Sequence, residues 1–342
     1  MRIGVLTAGG DCPGLNAVIR AAVRKGVRHY DDELVGFRDG YRGLIENDHQ
    51  PLTIADLRGT LPRGGTIIGT SRINPYMFPD GVDRVRETMA KHDLDGVIAI
   101  GGEGTLSCAS ELANDGIPMV GVPKTIDNDI GATERTFGFD TAVTIATEAI
   151  DRLHTTAESH NRVMVVEVMG RHVGHIATWA GIAGGATVTL IPEIPFDINE
   201  VCESLQRRHE RGRYASIVVV AEGAKPTPGT IDLPPDEFDD FGHIRLGGIA
   251  NLVAVEIEAR IGYETRVTIL GHVQRGGSPT AFDRVLSTQF GVGAIDAVHD
   301  HAWGQMVALQ CGRIIRVPLA EAVAELKPVP EDLWDTARQF FA

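Results

Sequence analysis

Residues 3–11 read IGVLTAGGD, a short apolar run that ends in two glycines and an acidic residue. Short continuous apolar runs are typical of strands that are buried on both faces of a parallel sheet. Similar runs recur at residues 97–100, 119–122, 164–168, 217–220 and 267–270. Each of them is followed closely by glycine or proline and by a charged residue or a histidine.

Helical patterns lie between these runs, and the clearest of them covers residues 141–154. Apolar residues recur there at positions 142, 145, 146, 149, 150 and 153, which is the spacing of one helix face. Asp140 is expected to be the N-cap of this helix. Alternating strands and helices predict an α/β fold with right-handed crossovers, and such folds bind ligands beyond the carboxyl ends of their strands.

The charge balance restricts the class of ligand. The chain of 342 residues has 32 basic and 46 acidic residues, a formal net charge of −14, which argues against a protein dedicated to nucleic-acid binding. Of the basic residues 27 are Arg and 5 are Lys. Arg binds carboxylate and phosphate groups in two-point fashion, so the excess has either a functional origin or one in codon bias.

Composition places the chain in a broad class. At 43% apolar and 23% charged residues it is expected to be globular, with one large or two modest domains. No apolar run approaches the ~18 residues of a membrane span, and the first residues enter a strand-like run directly. The four cysteines are widely scattered, which favours reduced thiols and a cytoplasmic protein.

Two glycine-rich loops are candidate phosphate-binding loops. Residues 9–14, GGDCPG, precede a helical pattern, and residues 101–105, GGEGT, follow the second apolar run. Glycine lets backbone N–H groups approach a phosphate, and a helix N-terminus adds partial positive charge. Neither loop is a Walker motif or a dinucleotide fingerprint, and a structural tight turn remains the alternative. Glu103 could hold Mg²⁺ through water.

Residues 123–129, PKTIDND, follow the third apolar run. Asp127 and Asp129 lie two residues apart and share a side if the backbone is extended. One carboxylate could accept a hydroxyl proton while the other orients a metal, which is what phosphoryl transfer requires. The alternative is an Asp-rich turn whose side chains bond the backbone, but Lys124 and Thr125 favour the catalytic interpretation.

Four arginines stand at predicted strand ends. Arg162 precedes a strand, Arg171 follows one, Arg266 begins one, and Arg72 follows a glycine-rich stretch. Each alone is better explained by a surface ion pair. Together they favour a ligand with two phosphate groups.

These segments together resemble the 6-phosphofructokinase family over nearly the whole chain, in order and in spacing. The matching runs are residues 9–17, 63–66, 101–105, 123–129, 166–171 and 270–277. The resemblance implies two Rossmann-like three-layer domains with mostly parallel sheets and an active site in the cleft between them. It assigns residues 1–138 and about 274–324 to a nucleotide-binding domain. Residues from about 139 to 273 and from 325 to 342 then form a sugar-phosphate-binding domain.

The same resemblance implies transfer of the ATP γ-phosphoryl group to the 1-hydroxyl of fructose 6-phosphate, with Mg²⁺, in glycolysis. Asp127 would be the base, assisted by Thr125 and Arg171, while Asp129 and Glu103 serve the magnesium. The implied nucleotide-binding residues are Gly10, Arg72, Gly102, Glu103, Gly104 and Thr105. The implied sugar-phosphate residues are Thr125, Asp127, Arg162, Met169, Gly170, Arg171, Glu222, Arg266, His272 and Arg275.

Arg162 and Arg266 are implied to come from a neighbouring subunit, so the expected assembly is a homodimer or homotetramer that binds small molecules. Four further arginines, Arg20, Arg24, Arg211 and Arg213, match effector-binding positions of bacterial relatives. His154 and Thr187 replace an Arg and a Glu of those relatives. Loss of the acid predicts that activation by ADP is weak or absent.

Two residues point to different phosphoryl donors. Members that use pyrophosphate usually carry Asp at the position of Gly104, where it obstructs a nucleotide α-phosphate, and Lys at the position of Lys124. We give Gly104 more weight because steric exclusion is decisive, so ATP is the expected donor. The alternatives are pyrophosphate dependence, another acceptor such as sedoheptulose 7-phosphate, and a non-catalytic sugar-phosphate sensor. The role of the proline- and acid-rich stretch 225–240 is open.

Overall fold

The computed structural model describes residues 1–231 and 247–341, so most of the stretch 225–240 lies outside the described residues. The strands are β1 Arg2–Ala8, β2 Glu33–Phe37, β3 His49–Pro51, β4 Gly96–Gly101, β5 Met119–Pro123, β6 Val163–Val168, β7 Val188–Leu190, β8 Ser216–Ala221, β9 Thr265–Ile269, β10 Gln305–Gln310 and β11 Arg313–Pro318. The α-helices are α1 Leu15–Lys25, α2 Tyr41–Glu46, α3 Gly81–Lys91, α4 Glu103–Asn114, α5 Phe139–His160, α6 His175–Ala183, α7 Ile198–Glu210, α8 Ile249–Ile261, α9 Ala281–His299, α10 Leu319–Ala322 and α11 Glu331–Arg338.

The chain divides into two compact units, each built from two segments. Unit 1 comprises Met1–Thr141 and Arg275–Lys327, and unit 2 comprises Ala142–Gln274 and Pro328–Ala342. Each unit contains its own sheet, and each is described separately below.

Unit 1 contains a seven-stranded sheet in the order β11-β10-β5-β4-β1-β2-β3. The strands from β10 to β2 are parallel, while the edge strands β11 and β3 are antiparallel to their neighbours. In the registers of the central strands, Ala8 pairs with Gly101, and Gly101 pairs with Pro123. Strands β1, β4 and β5 therefore end side by side at the carboxyl edge of the sheet.

Burial explains why these segments form strands. Every residue of β4 and β5 is buried, as is all of β1 after its first residue. On one face of the sheet, residues such as Leu6, Phe37 and Ala99 pack against Leu44 of α2 and Leu106 of α4. Helices α1 and α9 pack together, and α9 also contacts β5 and β10. The expected α/β fold with mostly parallel sheets is confirmed.

Unit 2 contains a four-stranded sheet in the order β7-β8-β6-β9, and all its pairings are parallel. Val163 pairs with both Ser216 and Thr265, so β6, β8 and β9 begin side by side. Val165 and Val218 belong to a buried cluster with residues of α7 and α8, including Leu205. The central strands of this sheet are thus buried as the continuous apolar runs predicted.

The expectations for individual elements met different outcomes. All six predicted runs overlap observed strands, and the helical pattern at 141–154 lies within α5. The assignment of Asp140 as N-cap is wrong, because α5 begins at Phe139 and the Asp140 carboxylate instead accepts a hydrogen bond from Thr280 Oγ1 at 2.6 Å. No helix in the described ranges combines the length and apolarity that crossing a membrane requires.

Candidate active site

Three loops meet at the carboxyl edge of the unit 1 sheet. They are residues 9–14 after β1, residues 102–105 after β4 and residues 124–129 after β5. The Lys124 backbone N–H donates to Gly101 O at 2.8 Å, which joins the third loop to the end of β4. The two predicted phosphate loops and the Asp-rich segment therefore share one edge, where α/β sheets bind ligands.

The first loop is held by the segment that leads to Arg72. Gly9 N–H donates to Ser71 O at 2.9 Å, and Thr70 Oγ1 donates to Gly9 O at 2.6 Å. A Cβ at Gly10 would lie 2.6 Å from Arg275 Nη1, so this guanidinium passes directly over the Gly10 backbone. Arg275 is thereby located at the first phosphate loop of unit 1.

The second loop opens a helix. Helix α4 begins at Glu103, with Gly102 at its N-cap position, so the first turn contains Glu103, Gly104 and Thr105. The first N–H groups of a helix have no partner within it and favour negative charge. A Cβ added at Gly104 would meet no atom of the described residues within 4 Å. An anion can therefore approach the start of α4 at Gly104.

The third loop carries the two acidic residues. Thr125 Oγ1 accepts a hydrogen bond from Asp127 N–H at 3.0 Å, and Asn128 between the acids has a positive φ of 54°. Within the described residues, Asp129 Oδ1 is buried without a hydrogen-bond partner. Burial raises the pKa of Asp129, and the nearby Glu103 carboxylate raises it further. Two neighbouring carboxylates, one with an unused oxygen, suit a divalent cation.

Lys124 links the third loop to the first. Its side chain is buried, and its ammonium group donates to the Gly10 carbonyl. Burial lowers the pKa of Lys124. The adjacent Cys12 is no candidate nucleophile, because burial raises the pKa of its thiol to about 12.

In unit 2, the predicted sugar-phosphate residues after β6, β8 and β9 also share a carboxyl edge. Met169, Gly170 and Arg171 follow β6, Glu222 follows β8, and His272 follows β9. The backbone connects these loops, since Glu222 N–H donates to Val168 O at 2.8 Å, Gly223 N–H to Gly170 O at 3.0 Å, and Leu270 N–H to Glu167 O at 3.0 Å. The structure thus brings this group together.

Arg162 and Arg266 lie at the opposite, amino edge of the same sheet. Arg162 directly precedes β6, and Arg266 is the second residue of β9. The Glu264 carboxylate pairs with both, at 2.7 Å from Arg162 Nη2 and in a shorter contact with Arg266 Nη2. A six-residue strand spans about 20 Å, so within one chain these two arginines do not meet Arg171. Of the four arginines grouped from the sequence, Arg162 and Arg266 therefore lie at the edge of the unit 2 sheet opposite to Arg171, while Arg72 belongs to unit 1.

Two candidate functional residues, Lys327 and Arg208, could not be identified from the sequence. Lys327, at the end of unit 1, contacts the third loop, and only the scarcity of lysine could have drawn attention to it. In unit 2, a cavity of about 220 Å³ is lined by Thr187 and Arg213, both noted at the effector positions, and also by Arg208 and Phe340. Arg208 lacked any motif that would single it out among the arginines.

Comparisons with known proteins agree on one family. The family model described as phosphofructokinase matches residues 2–298. The chain is 59% identical over 341 residues to "Pyrophosphate--fructose 6-phosphate 1-phosphotransferase" of Amycolatopsis methanolica, with 100% of both chains covered. It is 57% identical over 342 residues to "ATP-dependent 6-phosphofructokinase" of Mycobacterium tuberculosis, again with 100% of both covered.

A solved structure agrees in fold. Phosphofructokinase of Pichia pastoris in the T-state superimposes with a TM-score of 0.84 at 32% identity. The match covers 99% of this chain and 36% of the yeast chain.

Proposed function

The chain belongs to the phosphofructokinase family, and we propose that it transfers the γ-phosphoryl group of ATP to the 1-hydroxyl of D-fructose 6-phosphate, giving fructose 1,6-bisphosphate and ADP in glycolysis. The observation that carries this proposal is the convergence of three loops at one sheet edge of unit 1. One of them opens helix α4 at the unobstructed Gly104, and another carries Asp127 and Asp129. Phosphoryl transfer needs such positioned charge more than covalent chemistry.

Asp127 is the proposed general base. It takes the proton of the 1-hydroxyl as that oxygen bonds to the γ-phosphorus, while the bond to the β-phosphate oxygen breaks and ADP leaves. Thr125, whose Oγ1 already accepts from Asp127 N–H, stabilises the base in this orientation. Arg171 and Arg72 neutralise charge on the transferring group and on the nucleotide phosphates. These roles follow the family resemblance of the individual positions.

The donor assignment depends on the second loop. Relatives named for ATP and for pyrophosphate are almost equally identical to this chain, so overall identity does not select the donor. Gly10, Gly102, Gly104 and Thr105 are proposed to line the nucleotide phosphates at the start of α4. Because the space at Gly104 is open, an α-phosphate could lie there. Lys124 already donates to the Gly10 carbonyl, so its ammonium has a structural role that is compatible with either donor.

The residues present fit a Mg²⁺ site. Glu103 and Asp129 repel each other electrostatically, and Asp129 has a buried oxygen without a hydrogen-bond partner among the described residues. Mg²⁺ in phosphoryl-transfer sites is held by one or two carboxylates together with phosphates and water, so a larger ligand cluster is not required. When bound there, Mg²⁺ would offset the negative charge of the donor phosphates.

Unit 1 is proposed as the nucleotide-binding domain and unit 2 as the sugar-phosphate-binding domain. Met169, Gly170, Arg171, Glu222 and His272 of unit 2 are proposed to hold the sugar phosphate, together with Arg275. Arg162 and Arg266 are proposed to serve the site of a neighbouring copy, in a homodimer or homotetramer. Their location at the opposite sheet edge from Arg171 supports this sharing, because one chain cannot direct both groups to one small ligand.

Regulation is proposed at the cavity that Thr187, Arg208 and Arg213 line in unit 2 of this cytoplasmic enzyme. Thr187 is buried and supplies no carboxylate, and His154 Nε2 lies 2.6 Å from Gly184 O and is thereby engaged with the backbone. A Mg-nucleotide effector lacks its acidic partner in this cavity, so ADP should change the rate at subsaturating fructose 6-phosphate by less than about 2-fold. Strong stimulation by ADP in that assay would contradict this expectation.

The test of the proposed function is a steady-state assay of the purified chain with fructose 6-phosphate and Mg²⁺, with ATP or pyrophosphate as donor. We expect product with ATP. Product with pyrophosphate alone would favour the second candidate, a pyrophosphate-dependent phosphotransferase, which Lys124 and the Amycolatopsis relative support. Product with neither donor, together with measurable sugar-phosphate binding, would favour a non-catalytic sensor.

A further inference from the structure

Lys327 closes the loop that carries the two acidic residues. Its ammonium donates to Asn128 Oδ1 at 3.1 Å, to Thr133 O at 2.7 Å and to Glu134 O at 3.1 Å. Its backbone N–H donates to Asp129 O at 2.9 Å. An ammonium has three donors, enough for one to each of these three acceptors.

Asn128 is the residue that these contacts fix. Its side chain is buried, and its φ of 54° is in the left-handed region, which Asn tolerates better than most residues. Asn128 Oδ1 also accepts from Thr136 N–H at 3.0 Å, and Thr136 Oγ1 donates to Thr125 O at 2.8 Å. The Asn128 side-chain oxygen therefore joins Thr136 to the Lys327 ammonium, and Thr136 in turn holds the Thr125 carbonyl at the start of the loop.

We propose that Lys327 is a positioning residue for phosphoryl transfer: by fixing Asn128, it sets the backbone turn from which Asp127 and Asp129 extend. This inference rests on the proposed function of the loop. A reacting group displaced by about 1 Å loses on the order of 100-fold in rate, so a residue that fixes the turn acts on catalysis without touching substrate. Lys327 is the last residue of unit 1, and it lies roughly two hundred positions after the loop that it holds.

The contact geometry explains why lysine stands here in a chain with 27 Arg and 5 Lys. The three acceptors converge on a single nitrogen within 3.1 Å. Arg distributes its donors over a flat fork and cannot direct three of them from one atom. Charge alone is therefore insufficient at this position, and the compact ammonium is required.

The experiment compares Lys327→Met, Lys327→Arg and wild type, with Lys91→Met as the matched control because Lys91 is an exposed lysine on α3. We expect both Lys327 variants to lose about 30- to 100-fold in kcat, with each KM within about 3-fold of wild type. Lys91→Met should behave as wild type. An unchanged kcat in Lys327→Met, a loss confined to KM, or full activity of Lys327→Arg would each overturn the proposal. If Lys327→Met fails to fold, Lys327→Arg, which keeps the charge and approximate size, decides the question alone.

A second measurement separates this inference from the proposed function. Hydrogen exchange at the Thr136 amide, which donates to Asn128 Oδ1, requires no substrate. We expect at least about 10-fold faster exchange in both Lys327 variants than in Lys91→Met. Unchanged exchange would overturn the positioning role whether or not the enzyme is active. Inactivity of wild type with every donor would instead contradict the proposed function and leave the exchange result to decide about Lys327.

Discussion

The two sheets distribute their candidate site residues differently. In unit 1, Gly10, Gly104 and Asp127 all follow strands that end at the same carboxyl edge. In unit 2, Arg171 follows β6 at the carboxyl edge, whereas Arg162 precedes the same strand at the amino edge. Both arrangements follow from parallel strand order. Only in unit 1 can all the named residues contact one ligand at one edge of one sheet.

This difference between the two sheets indicates which part of the proposed site a single chain can supply by itself. Unit 1 gathers the proposed nucleotide loops and the proposed base without any residue from another copy. Unit 2 keeps two arginines at the far edge, paired with Glu264. Partly exposed ion pairs of this kind contribute little stability, so under the proposed sharing we expect a phosphate on another molecule to replace Glu264. The proposal of a shared sugar-phosphate site rests on this separation.

The largest effect is expected at Asp127 in unit 1. Asp127→Asn should lower kcat by about 1,000-fold, because the amide cannot accept the hydroxyl proton. Steady-state assays with saturating substrates measure this. The matched control is Asp31→Asn, since Asp31 is exposed and its φ of 57° suits Asn. A loss in kcat of less than about 10-fold would show that Asp127 is not the general base and that unit 1 does not supply it.

Gly104→Asp should strongly reduce the use of ATP as donor and leave the binding of fructose 6-phosphate unchanged. The added carboxylate would face nucleotide phosphates, and like charges in contact cost several kcal/mol, so kcat/KM for ATP should fall by about 100-fold or more. The KM for fructose 6-phosphate should stay within about 3-fold, since its proposed residues lie mostly in unit 2. Gly104→Ala is the control, because within residues 1–231 and 247–341 a methyl group there meets no atom within 4 Å. Equal losses for both substrates would count against the location of nucleotide phosphates beside Gly104.

Mixing inactive variants tests the two edges of the unit 2 sheet directly. Asp127→Asn reassembled with an equal amount of Arg162→Ala should recover roughly a quarter of wild-type activity, because random pairing creates intact sites from two different copies. Asp127→Asn mixed with Arg171→Ala should recover nothing, because both residues are proposed to serve the site of one copy. Activity of the reassembled mixtures is the measurement. Recovery in the second mixture, or its absence in the first, would reverse the assignment of the edges.

The smallest effect on activity is expected from substitution of buried carboxylates, which should change stability instead. The hydrogen bonds of these carboxylates also differ between the two units. Glu167 of unit 2 accepts from Gly248 N–H and Ala250 N–H. Asp283 of unit 1 accepts twice from Thr141 through Oδ2, while its Oδ1 has no hydrogen-bond partner among the described residues. Burial raises the pKa of Asp283 to about 6.

A carboxyl whose pKa is raised by folding stabilises the fold below its unfolded pKa near 4, and this contribution is lost as the pH rises through about 6. Asp283→Asn keeps an acceptor for Thr141 but cannot ionise. Its free energy of unfolding relative to wild type should therefore rise between pH 4 and pH 7, by up to about 3 kcal/mol. Urea unfolding across that range measures the difference, and parallel curves for the two proteins would show that Asp283 does not titrate in this way.

Much of the fold could be predicted because its central strands are buried on both faces. The runs at 97–100 and 119–122 became β4 and β5; Gly102 and Glu103 directly follow β4, and Asp127 lies four residues after the end of β5. Among the described residues, five strands were not predicted: β2 and β10 inside the larger sheet, and β3, β7 and β11 at sheet edges. Of these, β11 is only partly buried, and β3 is three residues long. A half-exposed strand has no continuous apolar run, so the signal that found the central strands is absent there.

The site was predictable as a set of loops, and less so as a set of contacts. Asp127 and Gly104 were identified from local patterns that follow strands. The contact of Lys124 with Gly10, and those of Lys327 with the Asn128 loop, join residues far apart in sequence. No local pattern encodes such pairs, because they depend on strand order and on where the chain returns to the sheet.

The central claim is that the chain transfers the γ-phosphoryl group of ATP to fructose 6-phosphate. Phosphorus NMR of a single reaction that contains fructose 6-phosphate, Mg²⁺ and equal ATP and pyrophosphate tests it most directly, because both donors compete for one enzyme. The account predicts signals of ADP and of a new sugar phosphomonoester, with pyrophosphate unchanged. Loss of pyrophosphate, with inorganic phosphate appearing and ATP intact, would contradict it.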